Sequence, residues 1–232
     1  MREQRLRVLP VVADERTMKL LGVVKRTSLL MFSSTKVDTP VLEIAEEPRI
    51  TISEDDRLDE AARKLVNSDE WYAPALDSAY RLLGMLGLES IIEYMLQHES
   101  SVLEEPVKNY MTSNPVYVEP DMPVYRVWQY MLSKKLAALP VVEKGRIVGV
   151  IAEHDLLAHG YTRPVLESGQ ARKGPLVREV MSTPPITLEP SAPLREAAKI
   201  MVERDIGRVY VVLDDELIGV LDRSDVVRAW IK

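Results

Sequence analysis

Residues 139–157, LPVVEKGRIVGVIAEHDLL, read as strand, tight turn, strand and helix start. Leu139, Val141 and Val142 form a short apolar run. Glu143-Lys144-Gly145-Arg146 is a polar turn carrying the glycine that such turns favour. Ile147 to Ile151 is a second apolar run rich in β-branched residues, with Gly149 inside it. Asp155 then stands at the mouth of an apolar segment of helical character. The arrangement returns as Val209-Tyr210-Val211-Val212, a polar turn over Leu213 to Glu216, the run Leu217 to Leu221, and Asp225. Gly149 matches Gly219, and Asp155 matches Asp225.

The match extends outward. Residues 107–160 align with 177–230 without a gap. Met111-Thr112 falls on Met181-Ser182, Pro115-Val116 on Pro185-Ile186, Glu119-Pro120 on Glu189-Pro190, Pro123 on Pro193 and Met131 on Met201. An internal repeat of this kind sets the architecture before any single element is assigned. A looser copy lies upstream: Ile50-Thr51-Ile52 as first strand, Asp55 to Val66 as helix, Tyr72 to Leu76 and Leu82 to Leu86 as further strands, with Gly84 at the glycine position. A fourth copy, at the start, is half present. Leu9-Pro10-Val11-Val12 matches Leu139 to Val142, and Gly22-Val23-Val24 matches Gly149 to Ile151. Either sequence upstream is missing or this unit is degenerate.

Each full unit reads strand, helix, strand, strand, helix. Around 186–231, Ile186-Thr187-Leu188 is a short strand and Pro193 suits the first turn of a helix. Leu194, Ala197, Ala198, Met201 and Val202 form an apolar stripe at helical spacing. Gly207 stands where a C-terminal cap is expected, and a last helix runs from about Ser224 to Ile231. Val124, Val127, Trp128 and Met131 form the matching stripe in the preceding unit. His159 to Pro175 reads as an exposed connection. One such unit is marginal alone, and two packed together would cover their sheet faces. The expected fold is α+β, with units at 1–35, 41–98, 107–160 and 176–232 paired as 1–98 and 107–232.

Composition excludes several functions. Cysteine is absent, which removes disulfides and thiolate–zinc sites. A net charge of -6 argues against a dedicated nucleic-acid binder. No apolar run approaches membrane-spanning length, and Met1 to Arg7 holds no signal-type segment. A soluble cytoplasmic chain is therefore expected. No nucleophile–base pair, P-loop or dinucleotide fingerprint is present, so no enzyme is expected. His154 and His159 do not share a helical face, and His98 is isolated, so no metal pair is expected. Trp71, Trp128 and Trp230 are expected in the core or at an interface. Lys25-Arg26 and the acidic stretch Glu43 to Glu47 read as solvated.

The Met-Thr and Met-Ser pairs, the Pro-Val or Pro-Ile openings, the Glu-Pro turns, the Leu-Pro-Val-Val strand and the glycine strand leading to aspartate resemble CBS domains. These regulatory modules take their name from cystathionine β-synthase. The resemblance covers 107–230 closely, 41–98 more loosely and 5–35 in part. It implies tandem CBS units of β-α-β-β-α order paired into two Bateman modules, the first unit incomplete. It further implies clefts that hold AMP, ADP, ATP or S-adenosylmethionine, and pairing of modules into a homodimer.

Such a ligand offers two vicinal ribose hydroxyls, which one carboxylate can accept together. Asp155 and Asp225 are placed for that role, although an aspartate at a helix start also serves as an N-cap. The helix N-terminus offers N–H groups to a phosphate. Arg223 and Ser224 would add a cation and a hydroxyl beside Asp225, and His154 is the neighbour of Asp155. Ile186, Thr187, Val209 and Tyr210 would wall an adenine in one unit, and Val116, Tyr117, Leu139 and Pro140 in the other. Where the family pattern has Thr or Ser three residues after the glycine, this chain has Lys25, Gly87, Ala152 and Asp222. Ser28 and Ser90 occupy the ribose position of units 1 and 2. Asp222 sets a second carboxylate near any phosphate, favouring a cation-bearing or metal-bound ligand. Arg172 and Lys173 are expected in a solvated loop. Two functions remain: a sensor of an adenosine-containing ligand, or a scaffold with vestigial clefts that holds a partner or a dimer.

Overall fold

The computed structural model describes residues 6–26, 28, 39–134, 136–158 and 174–232. The connection expected at 159–175, including His159, Arg172 and Lys173, lies almost wholly outside the described residues. Unit 1 supplies β1 (Val8–Val12) and β2 (Leu20–Lys25). Unit 2 supplies β3 (Ile52–Ser53), α1 (Leu58–Asn67), β4 (Tyr72–Leu76), β5 (Leu82–Gly87) and α2 (Leu88–Gln97). Unit 3 supplies β6 (Thr112–Ser113), α3 (Val124–Lys134), β7 (Ala138–Glu143), β8 (Arg146–Ala152) and α4 (Glu153–Ala158). Unit 4 supplies β9 (Thr187–Leu188), α5 (Leu194–Glu203), β10 (Arg208–Leu213), β11 (Glu216–Asp222) and α6 (Arg223–Trp230). Strands of units 3 and 4 join in the order β7-β8-β11-β10-β9, with β6 added on β11.

Local chemistry explains these elements. The β7–β8 hairpin turns through Lys144 (φ 51°) and Gly145 (φ 85°), and the β10–β11 hairpin through Asp214 (φ 51°) and Asp215 (φ 67°). Two successive positive φ values match the twist of the flanking strands. In α5, Leu194, Ala197, Ala198 and Met201 are buried as the stripe required. The helix closes at Arg204, and the left-handed residue after it is Asp205 (φ 47°), not Gly207. Aspartate tolerates that conformation. Gly207 answers a different need: a Cβ there would stand 2.5 Å from the ring of Trp71 in unit 2.

Units 3 and 4 exchange their lead-in segments. The amides of Val107 and Lys108 donate to the carbonyls of Ala192 (2.8 Å) and Pro190 (3.1 Å), and Leu194 N–H donates to Glu105 O (2.8 Å). Reciprocally, Val177 and Arg178 donate to Met122 (2.9 Å) and Pro120 (3.0 Å), and Val124 donates to Pro175 (3.0 Å). Val107 is therefore buried in the core around unit 4, and Val177 and Val180 in that of unit 3. Further along, β6 pairs with Gly219 and Val220, and Ser182 pairs with Val150. Met111 lies over Gly219 and Met181 over Gly149, where a Cβ would sit 2.7 Å from the Met181 sulfur. The repeated Met and the repeated Gly are thus two halves of one contact. Unit 2 does the same to unit 1. Glu46 exchanges main-chain bonds with Val23 (2.9 Å each), and its carboxylate lies 3.2 Å from Lys25 Nζ. Neither the Glu43–Glu47 stretch nor Lys25 is simply solvated, because Lys25 also binds Glu70 at 2.8 Å.

The two modules meet through helices. α2 packs across α5 and α6, and one apolar core spans units 2 and 4. At the centre, Arg223 is 1% exposed. Its guanidinium donates to the Tyr72 hydroxyl, Glu89 (3.2 Å), Met201 O and Asp205 (3.0 Å). Arg7 and Arg208 lie over the Trp71 ring at 5.0 and 5.7 Å. Burial lowers the pKa of Arg7 and Arg26. Arg26, expected on the surface, faces inward near Glu153. Trp128 and Trp230 are half-buried against the two cores.

Substituting Gly207→Ala should lower unfolding free energy by about 1–3 kcal/mol, since the added Cβ meets the Trp71 ring that Arg7 and Arg208 cover. A Cβ added at Gly84 would meet no described atom within 4 Å, so Gly84→Ala should change stability by less than about 0.5 kcal/mol. Urea denaturation of both variants checks the pair.

Candidate functional site

The two aspartates stand at helix starts that differ in charge. In unit 3, β8 runs into α4, and Asp155 turns back so that Oδ2 accepts the Ala152 N–H at 2.8 Å. Its Oδ1 accepts the Ser182 hydroxyl at 3.1 Å. Ser182 belongs to the lead-in segment of unit 4. Unit 4 therefore reaches Asp155 directly. The β8 strand and the segment after Ser182 also line a cavity of about 240 Å³, formed by Arg146, Ile147, Val148, Pro185, Thr187, Val212 and Asp215. Ser182 is opposite Val150, so the chain reaches Pro185 and Thr187 as β8 is followed back towards Arg146.

In unit 4, Asp222 caps α6. Its Oδ1 accepts the N–H groups of Ser224 (2.8 Å) and Asp225 (3.2 Å), while Asp225 Oδ2 accepts the Asp222 N–H (3.0 Å). Asp225 also lies 3.5 Å from Arg228, and Asp222 lies 3.8 Å from Arg208. Burial, together with the neighbouring Asp222 charge, pushes the Asp225 pKa up to about 6. Burial likewise raises the carboxyl of Glu153, opposed by Arg26, Arg208 and Arg7.

The remaining predicted residues divide. Thr187 lines the cavity, and Ile186 is half-buried beside the unit 4 core. Val116 and Tyr117 are 39% and 52% exposed. Strand alternation turns Val209 and Leu139 into the cores, so those side chains wall no cleft. Pro140 and Tyr210 occupy the opposite faces and are buried. The Tyr210 hydroxyl has no hydrogen-bond partner among the described residues, and burial pushes its pKa up to about 12. Ser224 is buried with its N–H on Asp222. Arg223 is not beside the cleft, because its guanidinium is held in the interior by units 2 and 4. His154 is half-buried on α4. Sequence reasoning missed Ser182, whose role needs the exchange of lead-in segments, and the Arg7, Arg208, Glu153 and Trp71 cluster at the centre. Among the described residues no group of acidic and histidine side chains could hold a metal ion. No helix there is long and apolar enough to cross a membrane.

Exchanged lead-ins, a sheet shared by units 3 and 4, and an aspartate after the glycine strand of each of these two units define a tandem repeat module. The family model of the CBS domain matches residues 38–97, 107–161 and 177–232, and the chain belongs to that family. Protein MJ1225 of Methanocaldococcus jannaschii is 27% identical over 98% of this chain and 89% of its own length. Its crystal structure, described as that of a proposed archaeal homologue of g-AMPK, matches with a TM-score of 0.84 at 25% identity, covering 98% of this chain and 89% of that one. A conserved protein from Pyrococcus horikoshii shares the fold, with a TM-score of 0.72 at 22% identity over 97% of this chain and 92% of that one. A zinc metalloprotease of M. jannaschii, MJ0392, is 30% identical over 64% of this chain, and the match spans 43% of its length.

A carboxyl whose pKa is raised on folding stabilises the fold fully below its unfolded value, near 4, and loses that contribution as pH rises through about 6. The stability of Asp225→Asn relative to the parent protein should therefore increase between about pH 4.5 and 7.5. Guanidinium denaturation at both pH values checks this, and a difference independent of pH would contradict the burial of that charge.

Proposed function

We propose that units 3 and 4 form a non-catalytic regulatory module that binds an adenosine-containing ligand: AMP, ADP, ATP or S-adenosylmethionine. The observation that carries this reading is Asp155 at the start of α4, whose Oδ1 meets the hydroxyl of Ser182 from the opposite unit. In this reading the vicinal ribose hydroxyls replace the Ser182 hydroxyl on Asp155, and on Asp225 they take the oxygen that faces Arg228. Each gives two hydrogen bonds to a charged acceptor, stronger than neutral ones. The similarity to MJ1225, described as a proposed homologue of g-AMPK, supports a metabolite-sensing role.

A scaffold with vestigial clefts is the competing reading, favoured by one observation: both aspartates already hold protein partners. Calorimetric titration separates the two. The sensor reading predicts binding of AMP, ATP or S-adenosylmethionine that weakens at least tenfold in Asp155→Ala or Asp225→Ala. For the Asp225 cleft, affinity should also fall as pH drops through about 6, where that carboxylate takes its proton. No heat and no thermal shift with any of the three ligands would leave the scaffold reading.

A further inference from the structure

The two clefts differ at the position three residues after the strand glycine, which is Ala152 in unit 3 and Asp222 in unit 4. Asp222 changes two things at once. Its carboxylate already accepts the N–H groups of Ser224 and Asp225, the donors that the start of α6 would otherwise offer an anion. It also sets a second negative charge beside Asp225 in a part-buried place, with side chains 23% and 15% exposed. The nearby cations do not reverse this. Arg208 is paired with Asp222, bonded to Ala138 O and stacked on Trp71, and Arg228 is paired with Asp225. Arg223, next in sequence, is turned into the interior.

From this we propose that Asp222 makes the unit 4 cleft reject phosphate, so that it takes an adenosine ligand whose 5′ substituent is neutral or cationic, a thioether or a sulfonium. The inference rests on the reading of Asp225 as a ribose clamp. In this reading a ribose held by Asp225 directs its 5′ substituent to the start of α6, where Asp222 stands. A phosphate there finds its donors occupied and a carboxylate beside it, where like charges in a poorly solvated site repel strongly. A sulfonium meets a favourable field at the same place, and a thioether asks for no donor. Unit 3 lacks this barrier, since Ala152 carries no charge.

The test uses the full chain carrying Asp155→Ala, which leaves the unit 4 cleft as the one read. Isothermal titration compares 5′-methylthioadenosine, S-adenosylmethionine and AMP, before and after adding Asp222→Asn. Asparagine keeps an oxygen to cap α6 and removes only the charge, and Asp222→Thr serves as a second variant if asparagine unfolds the helix start. The expected result is at least tenfold tighter binding of the thioether or sulfonium than of AMP, narrowing to under threefold in the Asp222 variants. AMP bound as tightly as the thioether, or a gap that Asp222→Asn leaves unchanged, overturns the inference while the ribose reading stands. Binding by the parent protein but none by Asp155→Ala shows the unit 4 cleft closed, which also overturns it. No binding by either protein removes the ribose reading and this inference together.

Discussion

The exchange of lead-in segments between units 3 and 4 is the constraint on which the rest of this structure depends. Val107 lies in the core around unit 4 and Val177 in that of unit 3, both fully buried. Each contributes about 1.5–3 kcal/mol that an isolated unit would lack. The exchange also explains why methionine and glycine repeat together. Met181 needs a bare backbone to lie on, Gly149 supplies it, and the main-chain bonds between Val150 and Ser182 fix the register. Once that register is set, the Ser182 hydroxyl falls on Asp155.

A second constraint joins the modules. Arg223 sits one residue from Asp222 at the start of α6 and binds Glu89 near the start of α2, so the helix starts of units 4 and 2 are tied directly. Burying such a guanidinium is costly unless its donors are met. Four acceptors, Tyr72, Glu89, Met201 and Asp205, meet its two terminal nitrogens, while the buried Nε has no partner among the described residues. Asp222 and Arg223 are adjacent, so the cap of α6 and the contact to unit 2 share one stretch of backbone. Differential binding to two arrangements of that contact is what coupling would require.

Much of the fold was legible in the sequence, because repeat spacing and strand alternation are local signals. Tyr72 to Leu76 matches β4 throughout, and the α5 stripe is buried as its periodicity implies. The clefts were less legible. Asp155 and Asp225 could be named from position, but the Ser182 hydroxyl on Asp155 comes from the opposite unit, and no local pattern announces an exchange. Val209 and Leu139 were assigned to the walls by nearness in sequence, and alternation along the strand sends them into the cores. Gly207 read as a helix cap when its cause is an indole from another unit. Arg26 read as solvated and Arg223 as a cation of the cleft, and only the meeting of two modules makes Arg223 interior.

The measurement that tests the central claim most directly compares adenosine compounds with their 2′-deoxy counterparts by equilibrium titration. A carboxylate that clamps two vicinal hydroxyls loses one hydrogen bond to the deoxy ligand, worth about 1–3 kcal/mol when the acceptor is left unpaired. The account predicts at least tenfold weaker binding of the deoxy form, a difference abolished when both Asp155 and Asp225 are alanine. Equal affinity for the two forms would contradict it, and the aspartates would then be helix caps and nothing more.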